Sequence, residues 1–188
     1  MQHARGGDAP DLQCDRLPIV GVLGSGTEPH SDRATILGRW LGTQPVHLLT
    51  GGGGGTMETV SRAFHSVKER AGRVIGILPG AVEDGRCRSL AGYPNPWVEI
   101  PIYTHLPLSG FQGTELASRN HINILTATVL VALPGSHGTA SEVRLALQYE
   151  KPLVAFLSDE NDIPDLPSEI YVEPVFEKVK EFVRSHIS

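Results

Sequence analysis

Cysteine is scarce in this chain of 188 residues: Cys14 and Cys87 are the only two. Neither belongs to a C-x-x-C pair and two cannot make a disulfide framework, which fits a reducing, cytoplasmic compartment. Positive net charge is missing too. The 21 acidic and 16 basic side chains leave a formal charge of -5, so electrostatic capture of DNA, RNA or an anionic membrane is not expected. No apolar run approaches the ~20 residues a membrane-spanning helix needs. Met1 to Arg16 is polar and has no apolar h-region, so it reads as a loose tail rather than a secretory signal. The 8 histidines show no metal-ligand spacing such as H-E-x-x-H, so no metal is expected.

Glycine is in excess. There are 21, about 11% against a typical ~7%, and five fill positions 51 to 55. The length suits one domain of 17–188 behind the tail 1–16, large enough to need no disulfide or metal staple.

Apolar, β-branched runs alternate with stretches of helical periodicity. Leu17 to Leu23 predicts a buried strand ending in Gly24-Ser25-Gly26. Ser31 and Asp32 are N-cap candidates for a helix through Ala34, Leu37 and Leu41. Val46 to Leu49 is a second strand, followed by the five glycines and a helix carrying Met57, Val60 and Phe64. Arg73 to Pro79 is a third strand. Ala81 to Trp97 looks irregular, and Trp97 to Tyr103 can make a strand whose Pro101 suits an edge. A helix is expected from about Thr114 to Leu125, then a strand over Thr128 to Leu133, a helix through Val143 to Tyr149 and a strand over Pro152 to Leu157. An acidic surface loop spans Ser158 to Pro167, and a closing helix spans Glu173 to His186. Uniformly apolar strands between helices imply an α/β fold: a single Rossmann-like domain with a parallel sheet covered by helices on both faces. Ligands of such sheets bind at the carboxyl ends of the strands, where all three glycine clusters fall.

Each cluster excludes something. After the first strand, Gly24-Ser25-Gly26 is G-x-G, but Pro29 stands where a dinucleotide fingerprint has its third glycine, and no acidic residue ends the second strand. NAD chemistry is therefore disfavoured. Gly51, Gly52, Gly53, Gly54 and Gly55 exceed what a turn requires, which predicts close approach of a ligand to the backbone. They precede Thr56-Met57 rather than G-K-[ST], so this is not a P-loop. Pro134-Gly135-Ser136-His137-Gly138-Thr139 opens a helix straight after a strand. Its N–H groups, the helix dipole and the Thr139 hydroxyl suit a phosphate, with Glu142 one turn on placed to touch the attached sugar.

Pro134 to Glu142 resembles the P-G-G-x-G-T-x-x-E signature of the LOG (Lonely Guy) proteins, often mislabelled lysine decarboxylases. They belong to a wider nucleotide-binding superfamily that includes the molybdenum-cofactor carriers. Gly51 to Glu58 resembles the family's G-G-x-x-G-x-M motif, Gly24-Ser25-Gly26 its first turn, and Arg119 falls at the spacing of its functional arginine. The resemblance implies hydrolysis of the N-glycosidic bond of nucleoside 5'-monophosphates, with Arg119 and Glu142 as the catalytic pair. It places the 5'-phosphate on Gly135, Gly138 and Thr139; the glycine loops add Gly24, Ser25, Gly51 to Gly55, Met57, Ser136 and His137 as expected nucleotide contacts, and Asn123, one helical turn beyond Arg119, is placed to add a hydrogen bond. Glu142 would stabilise the oxocarbenium-like ribose and activate water, while Arg119 would hold phosphate or the leaving base. It also implies a homodimer or larger even oligomer.

Three positions depart from that pattern. Ser136 replaces the second glycine of P-G-G, Ser141 the first glutamate of a usual E-E pair, and Asn120 a lysine after the arginine. Gly92 to Trp97 is a distinct insertion. In these details the chain looks closer to the carrier branch, which implies the alternative partner, a molybdopterin-type cofactor bound without turnover. No resident cofactor is expected. Lysine decarboxylation would need a Schiff-base lysine near these loops, and none is there.

Overall fold

The computed structural model describes residues 16–187; the expected tail up to Asp15, with Cys14, lies outside them. Seven strands form one parallel sheet, in the order β6-β3-β2-β1-β7-β8-β9. They are β1 (Ile19–Leu23), β2 (His47–Thr50), β3 (Val74–Leu78), β6 (Ile100–Tyr103), β7 (Val129–Ala132), β8 (Leu153–Ala155) and β9 (Tyr171–Val172), while β4 (Gly80–Glu83) and β5 (Arg86–Ser89) make a separate antiparallel hairpin. The helices are α1 (Ser31–Gly42), α2 (Gly55–His65), α3 (Asn120–Thr126), α4 (His137–Gln148) and α5 (Phe176–Ile187).

Strand alternation sorts the core into two layers. Val20 and Val22 of β1 pack with Leu37 and Leu41 of α1, Phe64 of α2 and Val179 and Val183 of α5. Leu23, Leu49 and Leu130 pack on the other face with Ile124 of α3 and Val143 and Leu145 of α4. Both faces are covered, as an all-parallel sheet requires. β1 pairs with β2 on one side and β7 on the other, so the chain reverses direction across the sheet between β1 and β7. Their carboxyl ends bound the crevice where such folds take ligands.

Several local expectations are corrected. His30, in left-handed conformation, occupies the α1 N-cap position without a side-chain cap, and Ser31 is already helical. The helix expected from Thr114 begins only at Asn120, because Ser118 Oγ accepts the Asn120 N–H and Ser118 N–H closes a turn on the Glu115 carbonyl. Ala81 to Trp97 is not wholly irregular: Asp84-Gly85, both with positive φ, make the β4–β5 hairpin turn, a D-G signal legible in the sequence. The Ser158–Pro167 loop holds a 3-10 turn over Glu160–Asp162 with a capping box between Asp159 and Asp162. Pro101 sits on an edge strand, as its chemistry suggested.

Glu99 anchors that edge. Its carboxylate accepts from the Val74 N–H at 3.0 Å, Arg70 at 2.6 Å and Arg73 at 3.1 Å. Burial pushes Glu99 upward, but these donors outweigh it and hold the carboxyl at about 2 against an ordinary 4.5. A depressed carboxyl stabilises the fold above its unfolded pKa, and that stability is lost as pH falls through the folded value. Glu99→Gln should therefore lower stability by ~1–3 kcal/mol at neutral pH. In denaturant melts at several pH values, the gap should close between pH 4.5 and about 2.

Candidate functional site

Three loops meet at the crevice through their backbones. Ser25 N–H donates to the Pro134 carbonyl at 3.2 Å, and the Ser25 carbonyl accepts from Thr56 N–H at 2.9 Å. This brings the turn after β1, the start of α2 and the start of α4 into one wall. The cleft they frame measures about 220 Å³ and is lined by Gly24, Gly26, Thr27, Met57, Tyr93, Ser109, Gly110, Arg119, Asn120, Ser136, Gly138, Thr139 and Glu142. Two open surface grooves are larger, about 380 and 410 Å³. Neither is lined by a buried polar atom lacking a partner.

The cleft differs in that respect. Arg119 and Glu142 are both buried, and Arg119 Nη1 lies 3.5 Å from Glu142 Oε1. Arg119 Nε and Thr139 Oγ1 find no hydrogen-bond partner, and Arg119 Nη1 has only its Glu142 contact. Leaving such a group unsatisfied commonly costs ~1–3 kcal/mol. Thr139 stands in the first turn of α4, where unpaired N–H groups and the dipole favour an anion. The donor set fits a phosphate. Burial drives Glu142 above the usual carboxylate range. Arg119's charge, the facing Asn123 amide and Arg119's hydrogen-bonding pull oppose it without cancelling it.

The glycine run has an account other than ligand approach. None of Gly51 to Gly55 lines the cleft. A Cβ on Gly51 would stand 2.4 Å from the Arg119 guanidinium, and one on Gly53 would stand 3.0 Å from Tyr93 and Met57. Gly52 and Gly55 take positive φ. The atoms that approach this backbone belong to the protein: Arg119 at Gly51, Leu78 at Gly52, Tyr93 and Met57 at Gly53, and the turn after β1 at Gly54 and Gly55. Gly51 lets the arginine lie flat beneath the cleft.

Of the other residues expected at the site, Gly24, Met57, Arg119, Ser136, Gly138, Thr139 and Glu142 line the cleft. Ser25 lies behind it, its Oγ accepting the Thr27 and Glu28 N–H groups. Asn123 is buried under Glu142. Gly135 makes room for the Thr139 hydroxyl, which a Cβ there would meet at 2.0 Å. His137 is exposed and stacks on Phe111 at 3.9 Å. Sequence reasoning missed Gly26, Thr27, Tyr93, Ser109, Gly110 and Asn120 as site residues. Ser109 and Gly110 arrive because Ser141 Oγ donates to the Gly110 carbonyl at 2.9 Å, tying that loop to α4. Ser141 is buried against this loop. Asn120 was flagged only as a departure from the arginine–lysine pattern.

With this geometry in view, comparison with known proteins is informative. The model of the SLOG cluster4 family matches residues 17–180. The chain belongs to the SLOG cluster4 family. It is 29% identical to the molybdenum cofactor binding protein of the phototrophic bacterium Rippkaea orientalis, with a TM-score of 0.67 over 92% of this chain and 99% of that one. It is also 29% identical to the Moco carrier protein of Chlamydomonas reinhardtii, with a TM-score of 0.59 over 90% of this chain and 99% of that one. An uncharacterized protein of Archaeoglobus fulgidus is 28% identical over 138 residues, 72% of this chain and 78% of its own length. These relatives place this SLOG chain in a LOG-like superfamily near the molybdenum-cofactor carriers, on a mostly parallel α/β fold. Among the described residues no helix is long and apolar enough to cross a membrane.

Two glycine substitutions separate packing from ligand approach in this SLOG site. Gly51→Ala should cost ~1–3 kcal/mol, because the Arg119 guanidinium must shift. A Cβ on Gly138 meets nothing closer than Gly110 Cα at 3.6 Å, so Gly138→Ala should hold or raise stability. Thermal melts of the two variants beside wild type check this.

Proposed function

We propose that this chain binds a phosphorylated ligand bearing a planar heterocycle, of the molybdenum-cofactor type, and carries it without turning it over. The observation that carries this reading is the pair of buried donors without a hydrogen-bond partner in the residues of this cleft, Thr139 Oγ1 in the first turn of α4 and Arg119 Nε at the start of α3. Phosphate oxygens would accept from Thr139 and from the N–H groups of the first α4 turn. The cleft, about 220 Å³, is below the roughly 300–1,000 Å³ of sites that enclose a whole small molecule. It therefore takes the phosphosugar-sized end and leaves the ring at the mouth. The carrier reading also draws support from the two relatives whose names state molybdenum-cofactor binding or carriage.

The Arg119–Glu142 pair supports a second reading, a nucleoside 5'-monophosphate phosphoribohydrolase. In that reaction the bond from ribose C1' to the base nitrogen breaks and water adds at C1'. The base departs carrying a proton. Glu142, ionised, would stabilise the cationic ribose and take the proton of the attacking water. Arg119 would hold the anion or steady the base. Burial works against this role, since it shifts Glu142 toward its neutral form.

Titrating the protein with AMP and with molybdenum cofactor, and assaying AMP for free base, tests both readings. The carrier reading expects saturable binding with no base released, and about tenfold weaker binding by Thr139→Val. Base release that Glu142→Gln abolishes while affinity holds would replace the carrier by the hydrolase. Binding of neither compound would overturn both.

A further inference from the structure

The insertion Gly92–Trp97 is explained neither by the fold nor by phosphate binding, yet it is fastened to the site by buried hydrogen bonds. Asn95, 4% exposed, donates from Nδ2 to the Gly53 carbonyl and from its backbone N–H to the Gly52 carbonyl, each at 2.8 Å. Its Oδ1 accepts the Trp97 N–H at 3.1 Å. This clamp lays Tyr93 over Gly53 beside the Met57 methyl group, and a Cβ on residue 53 would crowd both at 3.0 Å. Tyr93 and Met57 both line the cleft. The Tyr93 hydroxyl makes no hydrogen bond among the described residues. Thr139 and the N–H groups that open α4 bring polar donors to this cleft, and Tyr93 and Met57 bring an aromatic ring and a thioether.

Resting on the ligand class proposed above, the geometry points to Tyr93 as the specificity-determining residue that stacks on the planar nitrogen heterocycle, with Asn95 as its positioning residue. The glycine run then serves two protein partners: Gly51 admits Arg119, and Gly53 admits Tyr93. A nucleobase and a pterin share the flat, electron-poor face this wall would take, and the choice of probes distinguishes them. An aromatic ring also has a π-face available whichever edge of the heterocycle points outward, so the wall selects for a ring more than for its substituents.

The test compares ligands with and without the ring. AMP, molybdenum cofactor and ribose 5-phosphate are titrated calorimetrically into wild type, Tyr93→Ala, Tyr93→Phe and Asn95→Ala. Tyr93→Ala should weaken whichever ring-bearing ligand binds by roughly tenfold, while ribose 5-phosphate changes less than about twofold. Tyr93→Phe should stay within about twofold throughout. Asn95→Ala should lower the preference for AMP over ribose 5-phosphate as Tyr93→Ala does, and the double variant should lose little more than either single one. That ratio would not move if Asn95 served the fold alone. Binding of AMP by wild type marks the nucleobase as the source of the ring, and binding of the cofactor alone marks the pterin. Equal losses for AMP and ribose 5-phosphate in Tyr93→Ala, or no loss, would overturn the aromatic wall and leave the phosphate site standing. Equal losses in Tyr93→Phe and Tyr93→Ala would overturn it too, by assigning the contact to the hydroxyl. Wild type that binds none of the three would overturn the ligand class and the wall together.

Discussion

A buried arginine needs a reason, and in this protein Arg119 organises everything around it. Its guanidinium lies against the backbone of Gly51, within 3.5 Å of the Glu142 carboxylate. Removing two charges from water costs several kcal/mol per ion, and a single partner at this distance does not fully offset that. The rest of the local structure follows. The second loop must be free of a side chain where the arginine rests. The chain must turn at Glu115–Ser118 so that Arg119 enters α3 from its N-terminal end. The carboxylate must come from the first turns of α4. Nε lacks a hydrogen-bond partner and Nη1 has only the Glu142 contact, so a cationic side chain that lines the cleft keeps a demand that matches an anion.

The α/β class, the parallel sheet and the edge position of Pro101 were legible because apolar runs, helical spacing and proline chemistry are local properties. The Arg119–Glu142 pairing was legible from spacing and resemblance alone. What the sequence could not show was the direction from which the glycine backbone is approached. A run of five glycines says that something comes close, and only the fold shows that Arg119 and Tyr93 do so. Helix α3 was read too long because Thr114 to Ala117 contain good helix formers, whereas the Ser118 N–H closes a turn on the Glu115 carbonyl and its side chain accepts the Asn120 N–H before the helix starts. The β4–β5 hairpin was overlooked although Asp84-Gly85 announces it. Ser109 and Gly110 had no local signal; a single bond from Ser141 brings them to the site.

The same geometry bears on the choice between carrying and cleaving. A carboxylate that must stabilise a cation works best ionised, and full burial disfavours that form. Burial pushes Glu142 toward its neutral form and Arg119 opposes that shift without cancelling it. Ser141 ties the Gly110 loop to the start of α4.

The central claim is that the anion sits at the start of α4 above Arg119. A crystal structure with AMP or inorganic phosphate bound tests it most directly. The account predicts phosphate oxygens within hydrogen-bond distance of Thr139 Oγ1 and the Gly138 N–H, with Arg119 still against Gly51. Phosphate bound instead in the groove between Gly42–Pro45 and Val67–Ala71, with the α4 terminus untouched, would contradict it.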